Sequence, residues 1–150
     1  MALALSFLLI VVIIAISWLK SRARPAPIRD QFQANKPLSE PEQVLYWRLS
    51  EAMPDCVVLC QVSLSRFLTP GGAPNQRRAL FNRIAQKSVD FLVCLRDFTI
   101  VAAVELDDGT HQDEKDARRD SLFESASLPL VRVNVKAIPA VDELRALFVK

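Results

Sequence analysis

Two acids set inside apolar, strand-like sequence are the strongest chemical signal in the chain. They are Asp90 in Ser88-Val-Asp-Phe-Leu-Val-Cys-Leu95 and Glu105 in Thr99-Ile-Val-Ala-Ala-Val-Glu-Leu-Asp-Asp-Gly-Thr-His111. Side chains alternate between the faces of a strand, so Asp90, Leu92 and Cys94 share one face, while Val101, Ala103, Glu105 and Asp107 share one face of the next. With Arg96 to Thr99 as the turn of a hairpin, Leu95 lies opposite Ile100, and the same count sets Asp90 opposite Glu105. Carboxylates facing each other across a ladder have Cβ atoms roughly 5 Å apart and repel. A divalent cation would offset that repulsion, and a few oxygen ligands with room for waters and a phosphate suit Mg²⁺ or Mn²⁺ better than zinc. The alternative is that both acids sit at strand ends and face water without a metal.

Other elements must hold these strands in place. Ser39-Glu-Pro-Glu42 has capping-box spacing and begins a helical pattern through Leu45, Leu49, Ala52 and Met53, stopped by Pro54. Val57 to Phe67 reads as a strand, followed by a loop containing Pro70-Gly-Gly-Ala-Pro74 and then the hairpin. A helix is expected from about Gln112 to Ala126, a strand from Leu130 to Val135, and a last helix from Val141 to Phe148. The expected order is therefore αβββαβα.

The amino terminus differs in character. Residues 2–19 carry no charge and as a helix would extend about 27 Å against a hydrocarbon core of about 30 Å, which predicts a single membrane span. Trp18 and then Lys20, Arg22, Arg24 and Arg29 follow, so the positive-inside rule predicts a bacterial inner-membrane protein with its carboxy-terminal domain in the cytoplasm. Residues 20–37 contain Pro25, Pro27 and Pro37 among basic residues and read as an extended tether, leaving residues 38–150 as one domain. The chain's formal +2 comprises +4 over the tether and −2 over that domain, so total charge says little about nucleic acid.

Cys56, Cys60 and Cys94 lie in apolar strand-like runs, and an odd number on the expected cytoplasmic side argues against a disulfide framework. A zinc site lacks a second ligand pair, since His111 is the sole histidine. Between Arg66 and Lys87 the chain carries Arg77, Arg78 and Arg83 and no acid. These residues, with Lys87 and with Arg118 and Arg119 on the helix after the hairpin, are candidate phosphate contacts that would position a nucleic-acid backbone, DNA above all, without reading sequence. An ordinary charged surface is the other reading.

Asp90, Glu105 and the succession of elements around them resemble the core of the PD-(D/E)XK nuclease superfamily, the restriction-endonuclease-like fold, with an αβββαβ core and a mixed sheet. Val-Asp-Phe followed by Val-Glu-Leu-Asp-Asp-Gly-Thr-His resembles more closely the branch near the very-short-patch-repair endonucleases. The resemblance is greatest to an uncharacterised family of bacterial proteins, often membrane-anchored, and covers roughly Leu38 to Val135. It implies a metal-dependent nuclease in which Asp90 and Glu105 hold Mg²⁺ with the backbone carbonyl of Leu106 as third ligand. Glu42 matches a first-helix acid that reaches the metal through water in some members; capping its helix is its alternative role. The chain departs from the motif at Asp107, which stands where the superfamily has lysine. His111, as a general acid or base, or Lys115, as a phosphate contact, would compensate. A nuclease-like fold that has lost catalysis and binds nucleic acid or a protein is the second expectation.

Overall fold

The computed structural model describes residues 2–22, 32–107, 109 and 113–148. The chain divides into two units, Met1–Lys36 and Pro37–Lys150. The first holds helix α1 (Ala2–Arg22). The side chains of Leu9 to Trp18 are all exposed. Among the described residues no helix is long and apolar enough to cross a membrane. This overturns the transmembrane helix expected over residues 2–19, and with it the single-pass placement in the inner membrane.

The second unit is a mixed α/β domain around a four-stranded sheet of order β1-β2-β3-β4. Strand β1 (Cys56–Ser63) pairs antiparallel with β2 (Ser88–Leu95), β2 pairs antiparallel with β3 (Ile100–Asp107), and β3 pairs parallel with β4 (Leu130–Asn134). The parallel pair needs a crossover, which α4 (Asp113–Ser125) supplies. Helix α2 (Glu40–Ala52) precedes the sheet and α5 (Val141–Phe148) follows it.

A further helix, α3 (Pro74–Ile84), lies between β1 and β2, where the sequence predicts a loop. Pro74 fits the first helical turn, where its absent N–H has no partner to lose, and Gln76 Oε1 accepts the N–H of Ala73 at 3.2 Å. Only Ile84 of this helix is buried, so its apolar periodicity is too thin to read. The order within the domain is accordingly α2-β1-α3-β2-β3-α4-β4-α5, not the expected αβββαβα. Strand β1 also stops short of Phe67, giving way at Leu64 to a single 3-10 turn.

Both faces of the sheet are covered. On one, Leu45, Leu49 and Ala52 of α2 pack with Phe91, Val93, Val104, Val133 and Leu144. Their spacing of four and three residues puts them on one stripe of the helix. Arg48 ties α2 to the approach to α5 by donating to the carbonyls of Ile138 (2.5 Å) and Pro139 (2.9 Å), and Arg145 Nε donates to the Ala52 carbonyl at 3.1 Å. On the other face, Leu64, Ile84, Val89, Leu92, Cys94, Ala103 and Phe123 form the second cluster. Leu92 and Phe91 thus face opposite clusters, as neighbours in a strand must.

Leu49 is fully buried between α2 and the sheet. Leu49→Ala is expected to cost about 2 to 5 kcal/mol, with the urea midpoint falling at unchanged slope. A loss below about 1 kcal/mol would contradict this packing.

Candidate functional site

The ladder between β2 and β3 pairs Phe91 with Val104, Leu92 with Ala103 and Val93 with Ala102, which is the register that sets Asp90 against Glu105. A bulge between Val93 and Cys94 makes Cys94, rather than Leu95, the partner of Ile100. It confines the error in the expected register to the hairpin tip. Beyond the last backbone pair, Asp90 Oδ2 accepts the N–H of Leu106 at 2.8 Å. A side-chain carboxylate thereby takes the place of a strand partner and pins the end of β3.

Asp90 connects outward through Gln61. The Gln61 amide Nε2 donates to Glu42 Oε1 at 2.6 Å and to Asp90 Oδ1 at 3.3 Å, while its Oε1 accepts the Ser88 hydroxyl at 3.4 Å. Gln61 adopts φ +50°, the left-handed region that non-glycine residues rarely occupy. At this point the alternation of β1 and β2 breaks: Cys60 and Phe91 belong to the α2 face, whereas Val62 and Val89 belong to the other. Glu42 serves its helix as well, its Oε2 accepting the backbone N–H (2.6 Å) and hydroxyl (2.5 Å) of Ser39. One carboxylate thus caps α2 with one oxygen and joins the Gln61 bridge with the other. Sequence reasoning passed over Gln61, although an amide alone among Cys-Val-Val-Leu-Cys-Gln-Val-Ser was a signal.

Glu105 forms an ion pair with Arg119 of α4, whose guanidinium also donates to the Ser88 carbonyl. The side chains are 13% and 23% exposed. Burial pushes the Glu105 carboxyl above the ordinary glutamate range; Arg119 opposes that shift, and the nearby Asp90 charge adds to it. Glu105 Oε1 makes no hydrogen bond of ordinary geometry and relies on the ion pair. Beside Glu105 in the parallel ladder stands Arg132, gripped by Asp120 at 2.8 Å, with Asp116 3.9 Å away. Burial pulls the Arg132 pKa down, but Asp120, Glu105 and Asp116 more than offset it.

Asp107 Oδ1 accepts the N–H of Gly109 at 2.8 Å, closing a turn that needs the positive φ (+76°) of the glycine. His111 and the side chain of Lys115 lie outside the described residues. Arg77, Arg78 and Arg83 sit on α3, with Lys87 just before β2. Arg118 lines a cleft with Arg83 and Lys87, whereas Arg119, expected as a phosphate contact, faces Glu105. The thiols of Cys56, Cys60 and Cys94 are free, and burial pushes each upward, so they stay protonated near neutral pH. Among the described residues no group of three or more His, Cys, Asp or Glu side chains is placed to hold a metal ion.

Residues 34–150 match the family model described as protein of unknown function DUF2726. The chain belongs to that family. No curated protein and no solved structure is detectably similar to it.

The raised Glu105 pKa has a measurable sign. The folded state holds this proton more tightly than the unfolded chain, so the charged carboxylate costs the fold stability as pH rises from the ordinary range, about 4.5, through the raised value. Wild type should therefore lose stability relative to Glu105→Gln across that window. Urea unfolding of both proteins over acid to neutral pH measures it, and a pH-independent difference would contradict the burial.

Proposed function

We propose that the domain is a restriction-endonuclease-like phosphodiesterase that hydrolyses nucleic acid with the help of a divalent cation. The observation that carries this reading is the convergence of Glu42, Asp90 and Glu105 at one end of the sheet, the first two sharing the Gln61 amide and the last two close enough that the Asp90 charge adds to the cost of ionising Glu105.

The donor set suits Mg²⁺ or Mn²⁺. Both candidate ligands, Asp90 and Glu105, offer hard oxygens, and Mg²⁺ characteristically takes one or two carboxylates while keeping several waters. A cluster of three acids is therefore not required. When bound, such an ion would polarise the scissile phosphate and lower the pKa of a coordinated water. The chain's own residues do the rest. Asp90 is held in place by the Leu106 N–H, and Gln61 keeps Glu42 within reach of a solvent-bridged role. Arg119 opposes the burial that disfavours the Glu105 charge, and must yield part of that contact to a cation. Asp107 brings no positive charge, so the proton transfer assigned elsewhere to lysine falls to His111, with Lys115 as the phosphate contact.

Incubating the full chain with labelled single- and double-stranded DNA and RNA, with Mg²⁺, Mn²⁺ or EDTA, tests the reading. Cleavage is expected with either ion, absent in EDTA and in Asp90→Asn and Glu105→Gln, and reduced roughly 10² to 10⁴-fold in His111→Ala. No cleavage with any ion overturns it. A second reading, a nuclease-like fold that binds without cutting, is favoured by Asp107 in the lysine position together with the Arg119 contact to Glu105. Nucleic-acid binding without cleavage would select it.

A further inference from the structure

Helix α4 divides its polar residues between two directions. Asp116, Arg119 and Asp120 turn to the sheet, where they meet Arg132 and Glu105. Ala117, Arg118 and Ser121 turn away and, with the half-buried Leu122, form one wall of a cleft of about 730 Å³, whose other wall is Asn82 and Arg83 of α3 with Lys87. Three cations and two neutral hydrogen-bonding side chains line this cleft, and no acid does among the described residues. Neither Arg83 nor Lys87 is paired with a carboxylate among the described residues. The surroundings make this unusual, because the domain as a whole is net negative.

The cleft is also covalently adjacent to the carboxylates. Arg118 precedes Arg119, which grips Glu105, and Lys87 precedes Ser88, whose carbonyl receives the same guanidinium. An anion seated between Arg83, Lys87 and Arg118 would therefore be bound by the chain neighbours of Arg119 and Ser88, the two residues that tie α4 to the strand carrying Asp90 and to Glu105.

We propose that the α3–α4 cleft seats the phosphodiester backbone of a nucleic acid and delivers the strand to Asp90 and Glu105. Among the described residues no aromatic side chain lines the cleft, so it offers no stacking platform for bases, and recognition is of the backbone, by charge and by hydrogen bonds from Asn82 and Ser121. A concave wall of cations favours a strand over a flat lipid surface. The inference rests on the phosphodiesterase reading for its direction, but binding and cleavage are measured separately.

Anisotropy of labelled duplex DNA, duplex RNA and single-stranded DNA, titrated with the full chain in EDTA over a range of salt, provides the test. Arg83→Gln/Lys87→Gln should lower the slope of log affinity against log salt by about 1.8 on duplex DNA and by about 1.4 on a single strand, two phosphate contacts in each case. Arg96→Gln is the control, because Arg96 lies at the tip of the β2–β3 hairpin, at the far end of β2 from Lys87; it should leave the slope nearly unchanged. An equal fall in both variants, no change in the cleft variant, no binding by wild type, or stronger binding to phosphatidylserine vesicles than to nucleic acid would each overturn the proposal. Cleft-dependent binding without cleavage would uphold it and remove the phosphodiesterase reading. Cleavage that is indifferent to the cleft variant would do the reverse.

Discussion

A carboxylate held largely away from water at the end of a sheet sets the terms for the domain. Glu105 has too little solvent to support its charge cheaply, so it requires a cation, and Arg119 is the residue that reaches it. Such a pair adds little net stability, since desolvation consumes much of the Coulomb gain, but losing either partner strands the other. Its larger effect is on geometry. With Arg119 bound to Glu105 and to the Ser88 carbonyl, and Asp120 bound to Arg132, α4 has one permitted rotation against the sheet. That rotation decides which of its side chains face outward.

The sheet separates two kinds of work. The face covered by α2 and α5 is built from side chains that mate α2 with the strands, and the arginine clamps Arg48 and Arg145 close its edges onto backbone carbonyls. The opposite face carries small and medium residues such as Ala103 and Cys94, which let α4 approach closely enough for Arg119 to reach the strand end. Polar chemistry gathers where both coverings run out, at the end of β2 and β3, because there backbone groups lose their ladder partners and side chains such as Asp90 replace them.

Much of this was legible in the sequence. The two central strands announce themselves by β-branched residues and by the turn at Arg96 to Thr99, and the ladder follows from counting as far as Val93. Counting fails at the bulge, which inserts a residue without any change of composition to mark it. Helix α3 was hidden because one buried isoleucine cannot make a periodic pattern, and its arginines read as loop. The roles of Arg118 and Arg119 could not be separated from their types; only the phase of α4 distinguishes the inward one from the outward one. The uncharged amino-terminal run suggested a membrane span by its length in sequence, but among the described residues no helix is long and apolar enough to cross a membrane. Gln61 escaped notice because its importance arises from a backbone angle.

That angle has a consequence for how the domain would evolve. A glutamine held at φ +50° carries a local cost of about 1 to 2 kcal/mol that a glycine would not. A lineage selected for heat tolerance alone would relax position 61 early and give up the amide joining Glu42 to Asp90. A lineage that keeps both glutamine and thermal robustness would have to add its stabilising changes elsewhere, in the packing under α2 or α5. Position 61 is thus where endurance and chemistry pull the same backbone in opposite directions.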